Sequence, residues 1–306
     1  MEGIRRRATA TLLAPVSWGT TYVTVTELLP EGRPLLVSAI RVVPAAALLI
    51  GLGLAQTGGR LRGMPWRRTI VLALLNFGLF FPLLTIAVYR LPGGVAAAAG
   101  GLQPLLVAGL TRVASRRSPQ ASELGIAAAA AVGVGLVVLR PGPDLDLVGV
   151  AAAVAANTSF AAGVVLTKRL APPANRYLDT GLQLLLSGVL LVPTAVALEG
   201  WPSAVDARNV AGFGYLSLVA TGAAFVLWFE GIARLPAFAP PLLGLAAPVT
   251  GAVLGWLLLG QSLSPVQLVG FAVTVAAIGY GATARSPDQP WQATDPGLDP
   301  ASRDRA

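Results

Sequence analysis

Apolar residues run along this chain in long blocks, and the polar residues gather in the short stretches between them. Crossing a bilayer takes about 20 mostly apolar residues, because a helix rises about 1.5 Å per residue and the hydrocarbon core is about 30 Å thick. Ten segments meet that length, near 8–27, 34–56, 69–90, 92–112, 121–139, 147–168, 177–199, 209–232, 236–259 and 264–284. The connections hold most of the charge, proline and turn residues. The clearest break is Leu139-Arg140-Pro141-Gly142-Pro143-Asp144, near the middle of the chain. From Arg285 onward the chain is polar and rich in Pro and Asp, which predicts a disordered tail over 285–306. The pattern predicts an all-α membrane protein with ten transmembrane helices.

Composition supports lipid as the solvent. Hydrophobic residues are 55% of the 306, and charged residues are 12%. An ordinary soluble domain carries about 25% charge. So few charges cannot cover a water-facing surface of this size. Cys and His are absent, which excludes disulfides, Cys/His zinc sites, iron–sulfur clusters and a Ser-His-Asp triad. No metal and no cofactor is expected. The basic end Met1–Arg7 followed by an apolar run superficially resembles a signal peptide. No short apolar core with a small-residue cleavage site follows, so residues from Ala8 to about Glu27 are read as a first helix that stays attached.

The net charge of +8 raises nucleic acid as a partner, but the Lys and Arg residues sit in short clusters between apolar runs. That suits membrane orientation, and no nucleic-acid partner is expected. With the N-terminus placed in the cytoplasm, 17 Lys and Arg residues fall inside, and only Arg33, Arg90, Arg140 and Arg208 fall outside. Arg41 remains within a span. The bias predicts both termini in the cytoplasm, in a multi-pass protein of the cell (inner, cytoplasmic) membrane.

The halves repeat at an offset of 144 residues. Arg90-Leu91-Pro92 recurs as Arg234-Leu235-Pro236, and Pro104 recurs as Pro248. Gly19 corresponds to Gly163 and Gly78 to Gly222, and Gly125 corresponds to Gly270 with a one-residue slip. This divides the chain into a first repeat over 1–139, a second over 140–284 and the tail. Five helices per repeat is odd, so the halves would enter the membrane from opposite sides. Such inverted repeats form several secondary-transporter folds, with the binding site between them near the midplane.

The chain resembles drug/metabolite transporters of the EamA type. The likeness covers about residues 8 to 284. It rests on Trp18-Gly19-Thr20-Thr21-Tyr22, on Arg41, on the two Arg-Leu-Pro to Pro blocks, and on Gly260-Gln261-Ser262-Leu263-Ser264-Pro265. It implies ten helices, a central cavity between repeats, and transport of amino acids, other metabolites or drugs, often as export. The family commonly has Glu in the turn before the last helix of each repeat. Here Gln261 and Arg116-Arg117 stand there, so no role of that Glu carries over.

Polar groups in hydrocarbon are costly and should face the bundle interior. The candidates for a substrate cavity are Trp18, Tyr22, Arg41, Asn76, Gln103, Asn157, Thr158 and Trp228. For the amides the competing role is hydrogen bonding between helices, at about 1 kcal/mol. Arg41 either lines the cavity and attracts a carboxylate, or snorkels outward to pair with Glu27. Glu230 and Glu27 are the candidates for proton coupling. Glu230 also precedes Arg234 by four residues, the favourable spacing for an ion pair on one helix face. Pro104 and Pro248 should kink their helices. The leading expectation is a secondary transporter seated in the lipid bilayer, not an enzyme, that exports a small amino acid-like or drug-like metabolite across the cytoplasmic membrane by alternating access. A coupling ion or the substrate's own gradient would drive it. An intramembrane enzyme or a non-transporting scaffold is the alternative.

Overall fold

The computed structural model describes residues 2–30, 32–59, 65–91, 100–115, 121–138, 146–170, 173–202, 204–236, 238–259 and 264–283. The described residues are all-α or connecting loop. In chain order the helices are α1 (Glu2–Gly19), α2 (Thr21–Leu28), α3 (Pro34–Thr57), α4 (Trp66–Ala73), α5 (Phe80–Arg90), α6 (Gln103–Ser115) and α7 (Ala121–Val138). The second half holds α8 (Leu147–Arg169), α9 (Arg176–Glu199), α10 (Ala207–Gly214), α11 (Ala224–Arg234), α12 (Ala239–Gly244), α13 (Ala246–Leu259) and α14 (Pro265–Thr283). Six helical rods among the described residues are long and apolar enough to cross a membrane. The expected tail over 285–306 lies outside the described residues, as do Pro92 and the turn containing Gln261.

Several rods are irregular, each for a local reason. The first breaks at Thr20, where the Ser17 and Thr20 hydroxyls donate to Ala14 O and Ser17 O at 2.7 Å each. Such bonds compete with the helix ladder and bend it. Short π-helical stretches, Leu74–Gly78 and Tyr215–Ala223, join α4 to α5 and α10 to α11. Shifted by the repeat offset, the first falls inside the second. The rods carrying Pro104 and Pro248 turn at 101–102 and at Leu245. Each proline lacks the N–H that a regular helix would aim at the carbonyl four residues earlier, here Gly100 and Gly244.

Packing pairs the halves with each other. The longest contact runs along α3 and α9, and a second along α7 and α14. The contact of α5 with α8 has its counterpart in α1 with α11, and that of α6 with α8 in α1 with α13. Small residues set the closeness. A Cβ on Gly53 would stand 2.7 Å from the Leu178 backbone N, and one on Gly181 would stand 2.8 Å from the Ile50 backbone N. Leu48, Val132, Val189, Leu198, Leu257 and Val269 are exposed on the outside, an apolar surface suited to lipid.

Helix ends are tied across the chain. Asp146 caps α8 by accepting from Gly149 N at 2.9 Å, and pairs with Arg90 at 3.0 Å. Glu199 accepts from Leu35 N and Leu36 N at 2.9 and 2.8 Å, so the end of α9 caps the start of α3. The Gly149 N–H bond, with help from Arg90, holds the Asp146 carboxyl below its ordinary value of 3.8. Its folded value is depressed. Its stabilising contribution is therefore complete above the ordinary value and is lost as pH falls through the lower folded one. Asp146→Asn should flatten this acid limb, read as the difference in thermal stability between variant and parent from pH 6 down to pH 2.

The α3–α9 contact predicts a contrast between two glycines. Gly181→Ala forces the backbones apart and should lower stability by about 1–3 kcal/mol. Gly51→Ala, where nothing lies within 4 Å, should be neutral or stabilising. Thermal unfolding in detergent separates them.

Candidate functional site

A cavity of about 100 Å³ lies where the two halves meet. The first half supplies Trp18, Thr21, Arg41, Phe80, Phe81, Gly100 and Gln103. The second supplies Asn157, Phe160, Phe225, Gly244, Ala247 and Pro248. The lining extends along α5 to Leu84 and Val88, toward the end of that helix at Arg90.

The irregular backbone and the other half's side chains hold this site in shape. Trp18 donates its indole N–H to Ala220 O in the second π-helical stretch at 3.0 Å. Ser159 donates to Leu75 O in the first at 2.8 Å, and Ser187 donates to Ala73 O beside it at 2.9 Å. Pro44 interrupts the N–H series of α3, and beside it Ala45 N donates to Ser217 Oγ at 2.9 Å. Thr221, on the same π-helical stretch, accepts from Arg41 Nε at 3.0 Å. The Arg41 guanidinium carbon sits 4.0 Å from the centre of the Phe81 ring, a cation–π contact. Among the described residues no carboxylate lies within ion-pair distance of Arg41, which is 3% exposed.

Aromatic rings floor the cavity. Phe77, Phe225 and Phe229 touch edge-on or tilted, with centroids 4.7 to 6.2 Å apart. Trp228 packs behind Trp18 at 5.1 Å and Phe160 at 6.2 Å. Beyond the floor is a polar layer. Arg68 pairs with Asp179 at 2.8 Å, and Asp179 also accepts from Thr69 at 3.3 Å and Gln183 at 2.9 Å. Asn76 continues the chain by donating to Gln183 Oε1 at 3.3 Å. Glu230 pairs with both Arg176 and Arg234. Lys168 donates to Ile232 O and Leu235 O at 2.8 and 2.7 Å, closing the end of α11. The starts of α4 and α9 and the ends of α8 and α11 are thus bound together at the end opposite Arg90 and Asp146.

Residues 7–139 and 147–280 each match the EamA-like transporter family. The chain belongs to the EamA-like transporter family. It is 37% identical over 268 residues to Protein PecM of Dickeya dadantii, covering 87% of this chain and 88% of that one. It is 28% identical to the uncharacterized transporter YwfM of Bacillus subtilis, covering 87% and 90%. A solved crystal structure superposes with a TM-score of 0.74 at 21% identity, over 90% of this chain and 98% of the other, and shares the fold.

In this EamA-like fold the predicted residues separate into groups. Trp18, Arg41, Gln103 and Asn157 converge on the cavity, and Pro248 lines it as well. Asn76 does not line it. It is fully buried in the polar layer, where an Asn oxygen fits only because Gly163 has no Cβ. Thr158 turns back on its own helix and donates to Val154 O at 2.8 Å. Trp228 stands behind the wall, fully buried. Of Tyr22 the backbone in α2 is described and the side chain is not. Glu27 is exposed and Glu230 is clamped between two arginines, so neither lies at the cavity.

Two features escape a reading of spans. Among the described residues Asp179 is the most enclosed acid, at 3% exposure. The available signal was charge complementarity, because Arg68 and Asp179 both lie in the first turn of helices that start on one side. The aromatic wall of Phe80, Phe81, Phe160 and Phe225 carries no such signal, since Phe suits lipid equally well.

Removing one partner of the enclosed pair should be costly. Asp179→Ala leaves Arg68 without its counter-charge and should destabilise by about 3–5 kcal/mol, whereas replacing both residues by leucine should cost less. Thermal unfolding of the two single variants and the double variant tests this.

Proposed function

We propose that this chain is a secondary transporter that carries a small molecule across the cytoplasmic membrane by alternating access. Ten spans in two oppositely inserted five-helix repeats would form it, with both termini in the cytoplasm. The observation that carries the reading is a cavity built from both halves, whose lining runs along α5 toward Arg90 and which rings and ion pairs separate from the opposite helix ends. Family membership and the transporter name of the Bacillus subtilis relative point the same way.

Several of the main helix contacts recur when the halves are exchanged, α5–α8 as α1–α11 and α6–α8 as α1–α13, which supports two related halves, and five spans in each would insert them oppositely. Helix ends that the Lys and Arg bias assigns to the cytoplasm cluster around Arg68, Asp179 and Glu230. In that orientation the structure is an outward-facing state, and the polar layer is the closed cytoplasmic gate. Opening that gate would break Arg68–Asp179 and the Glu230 clamp while the outer ties, such as Glu199 on the start of α3, gather the other end. Equivalent breaks before Pro104 and Pro248 supply hinges, and export is the proposed direction.

Reconstituted into liposomes, the protein should move a metabolite down an imposed gradient, and Ala247→Trp, which fills the cavity, should abolish that flux in a protein that still folds. Flux unchanged by Ala247→Trp would place the pathway elsewhere. Tags on the two ends found on opposite faces of the membrane would defeat the topology.

A further inference from the structure

We propose that the cavity is a site for an organic acid with a flat apolar body, whose carboxylate is held by Arg41. This rests on the transporter reading and names its substrate class.

A guanidinium stays charged under all ordinary conditions, and burying it without a counter-charge is expensive. Arg41 is 3% exposed, and among the described residues the site gives it a hydroxyl and a ring face but no acid. Its Nε is committed to Thr221, which fixes the plane of the guanidinium and leaves the two terminal nitrogens as a fork. That fork matches a carboxylate.

One more donor points the same way. Gln103 Nε2 is buried at the cavity without an acceptor. An unmet donor in a dry place favours a ligand that brings an acceptor. The residues at 92–99, which precede this part of the lining, contain no acid either. A single negative charge therefore neutralises the site, whereas a cation would double its charge.

The rest of the ligand is specified by the walls. Trp18, Phe80, Phe81, Phe160 and Phe225 offer ring faces and edges, which favour a planar apolar body over a sugar. The Gly100 and Gly244 backbones at the lining, each four residues before a proline, offer acceptors to a donor substituent on the same molecule.

The test is binding to the purified full-length protein in chloride-free detergent buffer, read by thermal shift and by the fluorescence of the tryptophans at the site. The probes are phenylacetate, its neutral isostere phenylacetamide, the cation phenethylamine, and sodium chloride. Phenylacetate should bind at least ten-fold more tightly than the amide or the amine, and chloride should not compete. Arg41→Gln should erase the preference for the acid. Arg41→Lys keeps the charge but loses the fork, so it should weaken phenylacetate about ten-fold while preserving the order of the probes. Equal binding of acid and amide, protection by chloride alone, absence of phenylacetate binding, or a preference that survives Arg41→Gln would each overturn the proposal. Liposome flux is measured separately. A carrier that moves neutral solutes would keep the transporter reading while this one falls, and acid binding without any flux would do the reverse.

Discussion

The rest of the structure depends on one constraint. Backbone groups in hydrocarbon must find partners within the protein. A regular helix meets it alone, and this chain departs from regular helix at two π-helical stretches, at Pro44, and before Pro104 and Pro248. At or beside most of these places a side chain from the other half hydrogen-bonds to the backbone. Trp18 answers Ala220 O, Ser159 and Ser187 answer Leu75 O and Ala73 O, and Ser217 answers Ala45 N. Each irregularity thereby becomes a link between halves. The cavity occupies the region where these links converge, because distorted helices leave space and polar groups that straight ones do not.

That arrangement explains what could be read from the sequence. Long apolar blocks and the recurring Arg-Leu-Pro to Pro pattern announced a helical membrane protein with two related halves, since both follow from length and spacing. Arg41, Gln103 and Asn157 could be singled out because a polar group inside an apolar block has few places to go. The same logic named Asn76 and Thr158, and the structure sends one into an interhelical chain and the other onto its own backbone. The difference lies in which face of the helix each occupies relative to a neighbour, and no single span contains that information. The π-helical stretches also left no mark beyond Gly78 and Gly222, because their register is set by cross-half contacts rather than by local propensity.

The polar layer follows a different logic from the cavity. Arg68, Asp179, Gln183 and Asn76 are enclosed and linked in one chain of hydrogen bonds, and Glu230 is shared by two arginines. A buried ion pair contributes little net stability against a well-packed apolar alternative, but it is costly to leave half-made. Such a layer suits an interface that must be either fully closed or fully open. Partial separation would strand charges, so intermediate positions are disfavoured. The glycines that bring α3 and α9 into contact lie along the same seam, so the rods that close this end are also among the most tightly packed.

The two halves share a scaffold but not their chemistry. Pro104 and Pro248, Gly100 and Gly244, and the two π-helical stretches are counterparts, and they create the breaks on both sides of the cavity. Arg41 has no such counterpart. Leu185, at its repeat position, is exposed on the outer surface. Shared features therefore account for the existence of the site and its backbone breaks, and unshared ones account for its charge. A ligand bound between nearly equivalent walls would have no preferred orientation if the walls were chemically identical. A single guanidinium on one side, fixed by Thr221 and Phe81 and left without an acid, removes that ambiguity and gives the cavity a polar end and an aromatic end. Selectivity in this fold is thus expected where the duplication has been broken, and the duplicated positions are expected to govern movement.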